Sequence, residues 1–350
     1  MPSASQHHSQ RTTKTLLIGD SSAGKTGSLA SLVAAGYRVR MLDMDNGGDS
    51  VVALLNDPRY PYQPYCLAHG IDIGEGFNYV TITEEMTRHR TEGRFVPKAA
   101  TAWIKMVDMI ENWVDGDIRL GGIDTWTERD ILVIDTLGKA SWFAYYYAQQ
   151  LNGRLGARME GYDYQRDIGS THNFLRGLLQ KLYSTYVKCN VIGISHITTV
   201  DRSRGGSDSP SRDPNNPTPR SELKGYPSTI GRSIAPEIGS FFNNCFKAEE
   251  SGTGTNVRRE IYTTPSDEIV VKAANTAALA PRYPVQTALA EIFAALRGEP
   301  EPRELIDALR PKQVASAPTP AANGTRPLTR AAAPTAPAAS GPRPAVIQAR

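Results

Sequence analysis

The chain has 350 residues, of which 40% are hydrophobic, and its formal net charge is +3. This length and apolar content suffice for a substantial core, and no stretch approaches the roughly 18 consecutive apolar residues of a membrane span. The three cysteines have no spacing typical of a zinc site or a disulfide framework. We therefore expect a soluble, cytoplasmic protein without membrane association.

The positive charge is concentrated at the end of the chain. Positions 311–350 contain five basic residues and no acidic residue, which leaves residues 1–310 at −2. The overall charge therefore does not indicate nucleic-acid binding, and such binding would depend on local basic patches.

Composition predicts four segments. Residues 1–11 are polar, and residues 311–350 are rich in Ala, Pro, Thr and Ser, so we expect both to be disordered. Residues 12–298 alternate between helical and strand patterns, which predicts an α/β domain with a mostly parallel sheet flanked by helices. Residues 299–310 are predicted to form a short helical extension.

A phosphate-binding loop follows the first predicted strand, residues 15–18. The motif G-x-x-x-x-G-K-T is formed by Gly19, Asp20, Ser21, Ser22, Ala23, Gly24, Lys25 and Thr26. In such a Walker A loop the backbone N–H groups surround phosphates, the lysine reaches the β- and γ-phosphates, and the hydroxyl ligates Mg²⁺. We predict that a helix begins at Lys25. No Asn-Lys-x-Asp motif occurs, so ATP is the expected nucleotide.

The second predicted strand, residues 37–42, leads into two acidic residues, Asp43 and Asp45. Because the strand comes directly after the P-loop helix, its carboxyl end should lie close to the phosphates. We predict that Asp45 positions and activates the attacking water. The alternative is that Asp43 or Asp45 binds Mg²⁺ through water, or binds the ribose.

The middle of the chain carries a strand pattern at residues 79–82 and a helical pattern at 97–114. The helix is predicted from apolar residues at intervals of three and four, including Trp103, Met106 and Ile110. Residues 55–76 contain several prolines and are assigned as an irregular connection.

Two further strands end in polar residues. Residues 131–134 are followed by Asp135, which fits a Walker B carboxylate that holds Mg²⁺ through water, or else a simple helix cap. Residues 190–195 are followed by His196, which is predicted to sense the γ-phosphate, with a structural role as the alternative. Residues 259–263 and 268–272 are predicted to pair as antiparallel strands.

The motifs at 19–26, 42–45, 132–136 and 194–196 together resemble those of the RecA/RadA-like ATPases. The similarity spans residues 14–280 and is greatest to phage-encoded nucleotide-binding proteins of single-strand annealing and recombination. It implies a RecA-like core, assembly into a ring or filament, and location in the host cytoplasm if the protein is phage-encoded. In that family a glutamate often occupies the position of Asp45. Because the aspartate side chain is shorter, the resemblance does not establish the rate of hydrolysis.

The resemblance also implies two DNA-contacting segments, 152–168 and 198–232. The residues predicted to bind single-stranded DNA are Arg154, Arg158, Tyr164, Arg166, Arg202 and Arg204. Cations neutralise phosphates and aromatic rings stack on bases, although solvated surface loops are the alternative.

Lys272 falls where RecA-like assemblies send a cation into the nucleotide site of a neighbouring subunit. It is predicted to be this trans-acting finger. The second basic residue that commonly follows is absent here, because Ala273, Ala274 and Asn275 come next. The alternative is an ordinary exposed lysine at the end of a strand.

The leading functional prediction is a Mg²⁺-dependent ATPase that acts on single-stranded DNA in phage recombination, annealing or replication. A second possibility is a nucleotide-switched loader or scaffold that binds a single-strand-binding, replication or packaging protein. A small-molecule kinase is the third, and it is disfavoured because prolines and acids interrupt the arginines of 202–220.

Overall fold

The computed structural model describes residues 12–90, 92–158, 161–201, 223–231, 233–265, 269 and 271–309. The predicted disordered segments 1–11 and 311–350, and the predicted DNA-binding residues Arg202 and Arg204, lie outside these residues.

The helices and strands follow one another along the described residues. The strands are β1 (Lys14–Gly19), β2 (Arg38–Asp43), β3 (Phe77–Thr81), β4 (Met86–Arg88), β5 (Phe95–Pro97), β6 (Trp113–Asp115), β7 (Ile118–Gly121), β8 (Asp130–Asp135), β9 (Asn190–Ser195), β10 (Ile197–Asp201), β11 (Leu223–Pro227), β12 (Asn244–Ser251), β13 (Arg258–Tyr262) and β14 (Arg282–Pro284). The helices are α1 (Leu29–Ala34), α2 (Gly48–Asn56), α3 (Tyr62–Ala68), α4 (Ile73–Gly76), α5 (Ala102–Glu111), α6 (Leu137–Leu151), α7 (Gly161–Tyr183), α8 (Ala235–Ile238), α9 (Ala288–Arg297) and α10 (Arg303–Leu309).

An eight-stranded sheet forms the centre of the fold, in the order β14-β13-β12-β1-β9-β8-β2-β3. The strands from β12 to β3 are parallel, whereas β13 and β14 are antiparallel to their neighbours. Every residue of β1, β8 and β9 is buried. Their near-continuous apolar sequences fit this position, because helices cover both faces of a parallel sheet. The α/β P-loop core with a mostly parallel sheet is thereby confirmed.

The C-terminal antiparallel strands have a different partner from the one predicted. β13 pairs with β12 on one side and with β14 on the other. Of the predicted strand 268–272, Ile269 and Lys272 make isolated bridges to Gly225 and Cys245. The strand pattern could not identify the partner, because β14 is only three residues long and lies 20 residues further along the chain.

In the middle of the chain one predicted helix is shorter than expected and one predicted irregular segment is wrong. The helix predicted for 97–114 is confined to α5, because Asn112 adopts extended backbone angles and Trp113 begins a hairpin, where it is fully buried. The segment 55–76 contains α3 and α4 rather than an irregular connection. Its prolines at 61 and 64 are compatible with α3, since proline is tolerated in the first turn of a helix.

The cysteines at 66, 189 and 245 are buried and unpaired. None of the helices within the described ranges is both long enough and apolar enough to cross a membrane.

Candidate functional site

The predicted site residues converge at one edge of the sheet. Strands β1, β9, β8 and β2 are adjacent and parallel, so their carboxyl ends share that edge. The P-loop follows β1, Asp135 ends β8, Asp43 ends β2 and His196 follows β9. In open α/β sheets ligands bind in the crevice outside these carboxyl ends.

The P-loop surrounds the ammonium group of Lys25 with its own carbonyls. Lys25 Nζ donates hydrogen bonds to the carbonyl oxygens of Gly19 at 2.9 Å and Asp20 at 2.7 Å. Burial lowers the pKa of Lys25, while the carboxylates of Asp135, Asp20 and Asp45 act in the opposite direction. The lysine is therefore desolvated and lies inside the loop. There its ammonium group could bind a phosphate in place of these carbonyl oxygens.

The helix after the loop begins later than predicted. Regular α-helix starts at Leu29, and the preceding turns carry hydrogen bonds from residue i+3 to residue i, such as Leu29 N to Thr26 O at 3.1 Å. Gly27 and Ser28 are weak helix formers, which is consistent with this tighter turn. Lys25 and Thr26 thus belong to the turn.

Thr26 and Asp135 are in direct contact. Thr26 Oγ1 donates a hydrogen bond to Asp135 Oδ2 at 2.6 Å, although 109 residues separate them. Burial raises the pKa of Asp135 to about 6; the hydrogen bond from Thr26 opposes this shift and the charge of Asp43 adds to it. The peptide bond that follows Asp135 is cis.

This hydroxyl and carboxylate fit a magnesium ion. Both supply hard oxygen ligands, and Mg²⁺ is commonly held by one or two protein oxygens together with substrate phosphates and water. A cation would also offset the cost of keeping the Asp135 carboxylate away from solvent. No group of three or more His, Cys, Asp or Glu side chains suited to a metal occurs in the described part of the chain.

Asp43 and Asp45 have different surroundings. The Asp43 carboxylate is 1% exposed and accepts the N–H groups of Asp45, Gly47 and Gly48 at 3.0 to 3.2 Å. These bonds shape the turn that begins α2. The Asp45 side chain is 35% exposed and faces the site.

His196 and Lys139 flank Asp45. His196 Nε2 lies 3.3 Å from Asp45 Oδ2, and Lys139 Nζ lies 3.8 Å from Asp45 Oδ1. Lys139 was not among the predicted site residues. Its position in the first turn of the helix after β8 could have indicated it, because that turn starts at the same sheet edge.

Arg259 is a second residue that the sequence analysis missed. Its Nε donates to the carbonyl oxygen of Ser22 in the P-loop at 2.8 Å and lies 2.8 Å from Glu250 Oε2. No local pattern indicates this contact, because it depends on the pairing of β12 with β1, which brings β13 beside the P-loop.

Lys272 lies away from the P-loop of its own chain. It pairs with Cys245 at the beginning of β12, and Cys245 pairs with Leu16 of β1. Three residues of β1, about 10 Å of strand, separate Leu16 from Gly19, where the P-loop begins. Lys272 therefore forms one half of an isolated bridge at the beginning of β12.

The last eight residues of the predicted DNA-contacting segment 152–168 are helical, since α7 begins at Gly161. Arg154 forms ion pairs with Asp163 at 3.0 Å and Asp167 at 2.6 Å, and Arg158 pairs with Glu92 at 3.0 Å. The remaining predicted residues of this segment are Arg166, which is exposed, and Tyr164, whose ring lies 6.2 Å from that of Tyr145.

Fold and site together define a P-loop nucleotide-binding protein. The profile of the AAA_24 family, described as an AAA domain, matches residues 11–273, and the chain belongs to this family. No curated protein matches the sequence.

Solved structures with a similar arrangement have low identity to this chain. The RadB recombinase is 13% identical, with 71% of this chain and 79% of that chain covered and a TM-score of 0.34. The flagellar accessory protein FlaH from Methanocaldococcus jannaschii is 11% identical, with coverages of 77% and 83% and a TM-score of 0.34. The KaiC-like protein PH0186 from Pyrococcus horikoshii OT3 is 10% identical, with coverages of 71% and 77% and a TM-score of 0.30. Similarity at this level says nothing about function.

A methyl group at Gly47 should disturb the site selectively. An added Cβ would lie 2.8 Å from Asp135 Oδ2 and 2.9 Å from Thr26 Cγ2, which forces the hydroxyl and carboxylate apart. We expect Gly47→Ala to weaken binding of Mg²⁺-nucleotide by about tenfold or more, equivalent to about 1.4 kcal/mol, in a titration with a fluorescent nucleotide.

The matched control is Gly177→Ala in α7, where an added Cβ meets no atom within 4 Å. Its nucleotide affinity should equal that of the wild type. Equal affinities for Gly47→Ala and the wild type would show that the Thr26–Asp135 contact does not contribute to binding.

Proposed function

We propose that this chain is a Mg²⁺-dependent, RecA-like ATPase that acts on single-stranded DNA in recombination, annealing or replication in a phage-like system. The observation that carries the nucleotide part is the 2.6 Å contact between Thr26 and Asp135 beside the buried Lys25. Membership of the AAA domain family supports the same conclusion.

Each side chain would have a distinct task in hydrolysis. Lys25 and the loop amides would bind the phosphates, and Thr26 and Asp135 would hold Mg²⁺, whose charge stabilises the transferring phosphoryl group. Asp45 would orient the attacking water. His196 and Lys139 contact Asp45 and would keep its carboxylate in place, while His196 would transmit the state of the γ-phosphate.

Two substitutions separate binding from turnover. We expect Lys25→Ala to abolish ATP binding or turnover, because it removes the ammonium group that the Gly19 and Asp20 carbonyls hold inside the loop. Asp45→Asn should lower turnover at least about tenfold while nucleotide affinity changes little, since a carboxamide no longer accepts a proton from water. Phosphate release and equilibrium nucleotide binding measure the two effects. Unchanged hydrolysis by Asp45→Asn would remove Asp45 from the mechanism.

DNA contact is proposed for the surface around the start of α7. Arg166 is exposed there, and Tyr164 supplies an aromatic ring, a combination that suits phosphate neutralisation with base stacking. The acidic partners of Arg154 and Arg158 weaken their attraction for phosphate. This pairing favours the alternative in which the protein is a nucleotide-switched loader with little DNA contact.

Turnover with and without a single-stranded oligonucleotide distinguishes these functions. We expect stimulation that falls with salt, and a greater loss of stimulation in Arg166→Ala than in Arg158→Ala, because Glu92 already neutralises Arg158. Turnover that is indifferent to DNA would favour the loader. Consumption of ATP only with a metabolite would indicate a kinase.

Lys272 is proposed to act in a neighbouring subunit of a homo-oligomer. Its distance along β12 from the P-loop of its own chain supports action in trans. Lys25→Ala would retain the finger but lack nucleotide, and Lys272→Ala would bind nucleotide but lack the finger. We expect a mixture of these two inactive variants to recover part of the ATPase activity, because mixed oligomers contain complete sites. A mixture as inactive as each variant alone would contradict the proposal.

A further inference from the structure

The outer turn of the P-loop has a backbone conformation that is unfavourable for its sequence. Ser22 has φ of +68°, in the left-handed region that non-glycine residues seldom adopt. Such a conformation persists where surrounding contacts hold it. One contact lies within the loop, where Ala23 N donates to the Asp20 carbonyl oxygen at 3.3 Å. A shorter contact comes from outside the loop, since the Ser22 carbonyl oxygen accepts the Nε–H of Arg259 at 2.8 Å.

Arg259 is itself held in a defined place. It lies opposite Glu250 in the antiparallel pair of β13 and β12, and its Nε is 2.8 Å from Glu250 Oε2. On its other side, Val285 N donates to the Arg259 carbonyl oxygen at 2.9 Å. The side chain that reaches the loop therefore extends from a strand bonded on both edges.

The loop also packs directly against this strand. A Cβ placed on Gly24 would lie 3.2 Å from Arg259 Cδ and 3.0 Å from Val285 Cγ2. Gly24 has φ of +83°. Ser22 and Gly24, the two loop residues in the left-handed region, therefore both contact Arg259. The turn between them contains the N–H groups that precede Lys25.

We propose that Arg259 is a positioning residue of the nucleotide site, which acts through Ser22. By holding the Ser22 peptide, it keeps the following N–H groups directed into the loop, where phosphates bind. The inference rests on the proposed nucleotide binding. Because the loop grips phosphates that ADP and ATP share, loss of Arg259 affects both nucleotides equally and leaves the rate of the chemical step unchanged.

The experiment compares equilibrium binding of fluorescent ADP and ATP analogues by four proteins. They are the wild type, Arg259→Ala, Arg259→Lys and Arg258→Ala. Arg258 is the matched control, since it carries the same charge on the same strand. Neighbouring side chains of a strand point to opposite faces, so the Arg258 side chain is on the face opposite to that of Arg259. We expect Arg259→Ala to weaken both analogues by about tenfold, with kcat at saturating ATP within about twofold of the wild type. Arg259→Lys should be intermediate and Arg258→Ala unchanged.

A second substitution distinguishes positioning from general structural support. Glycine adopts positive φ without steric cost, so Ser22→Gly in the Arg259→Ala background should recover part of the lost affinity. Thermal unfolding without nucleotide confirms that each variant is folded.

Three outcomes would overturn the inference. These are unchanged affinity in Arg259→Ala, loss of ATP binding alone, which indicates direct contact with the terminal phosphate, or no recovery in the double variant. A wild type that binds neither nucleotide would instead contradict the proposed function itself.

Discussion

The parallel pairing of β1, β9 and β8 is the constraint on which the site depends. It fixes the carboxyl ends of β1 and β8 at one edge, with a single strand between them. Only then can the side chain after the P-loop lysine meet the last residue of β8, at 2.6 Å. Since all three strands are fully buried, their relative position is set by the packed core and tolerates little movement.

The P-loop is supported from two sides. On one side, the turn after β2 approaches Thr26 and Asp135 so closely that Gly47 has no room for a side chain, and Asp43 shapes this turn through three N–H groups. On the other side, Arg259 of β13 and Val285, which directly follows β14, touch Ser22 and Gly24. The loop is thus pre-shaped for phosphates, which reduces the ordering that binding requires.

The charged residues of the nucleotide site and of segment 152–168 divide into paired and available groups. Asp45 is shared between His196 and Lys139, which keeps its carboxylate at the rim of the crevice. Arg154 and Arg158 are paired with acidic side chains, whereas Arg166 is exposed. Counting arginines along the chain therefore overestimates the positive surface offered to a nucleic acid, because paired charges attract phosphates less.

The sequence by itself determined the P-loop and the parallel core. A motif with fixed spacing identifies Lys25 and Thr26 because the chemistry of phosphate binding is local, and the apolar run 131–134 identifies a strand buried on both faces. Asp135 and His196 could be named since each directly follows such a strand. The apolar periodicity was a less reliable guide to the end of the helix predicted for 97–114. Trp103 and Trp113 both fit the helical pattern, yet Trp103 lies in α5 and Trp113 belongs to a hairpin.

Only the tertiary structure decided which distant residues meet. Asp43 and Asp45 look alike in sequence, but the structure buries the first side chain and leaves the second 35% exposed. The contact of Arg259 with Ser22 depends on the pairing of β1 with β12, across more than 200 residues. No local pattern encodes such a contact, because its free energy arises from the packing of the whole sheet rather than from the propensities of either segment.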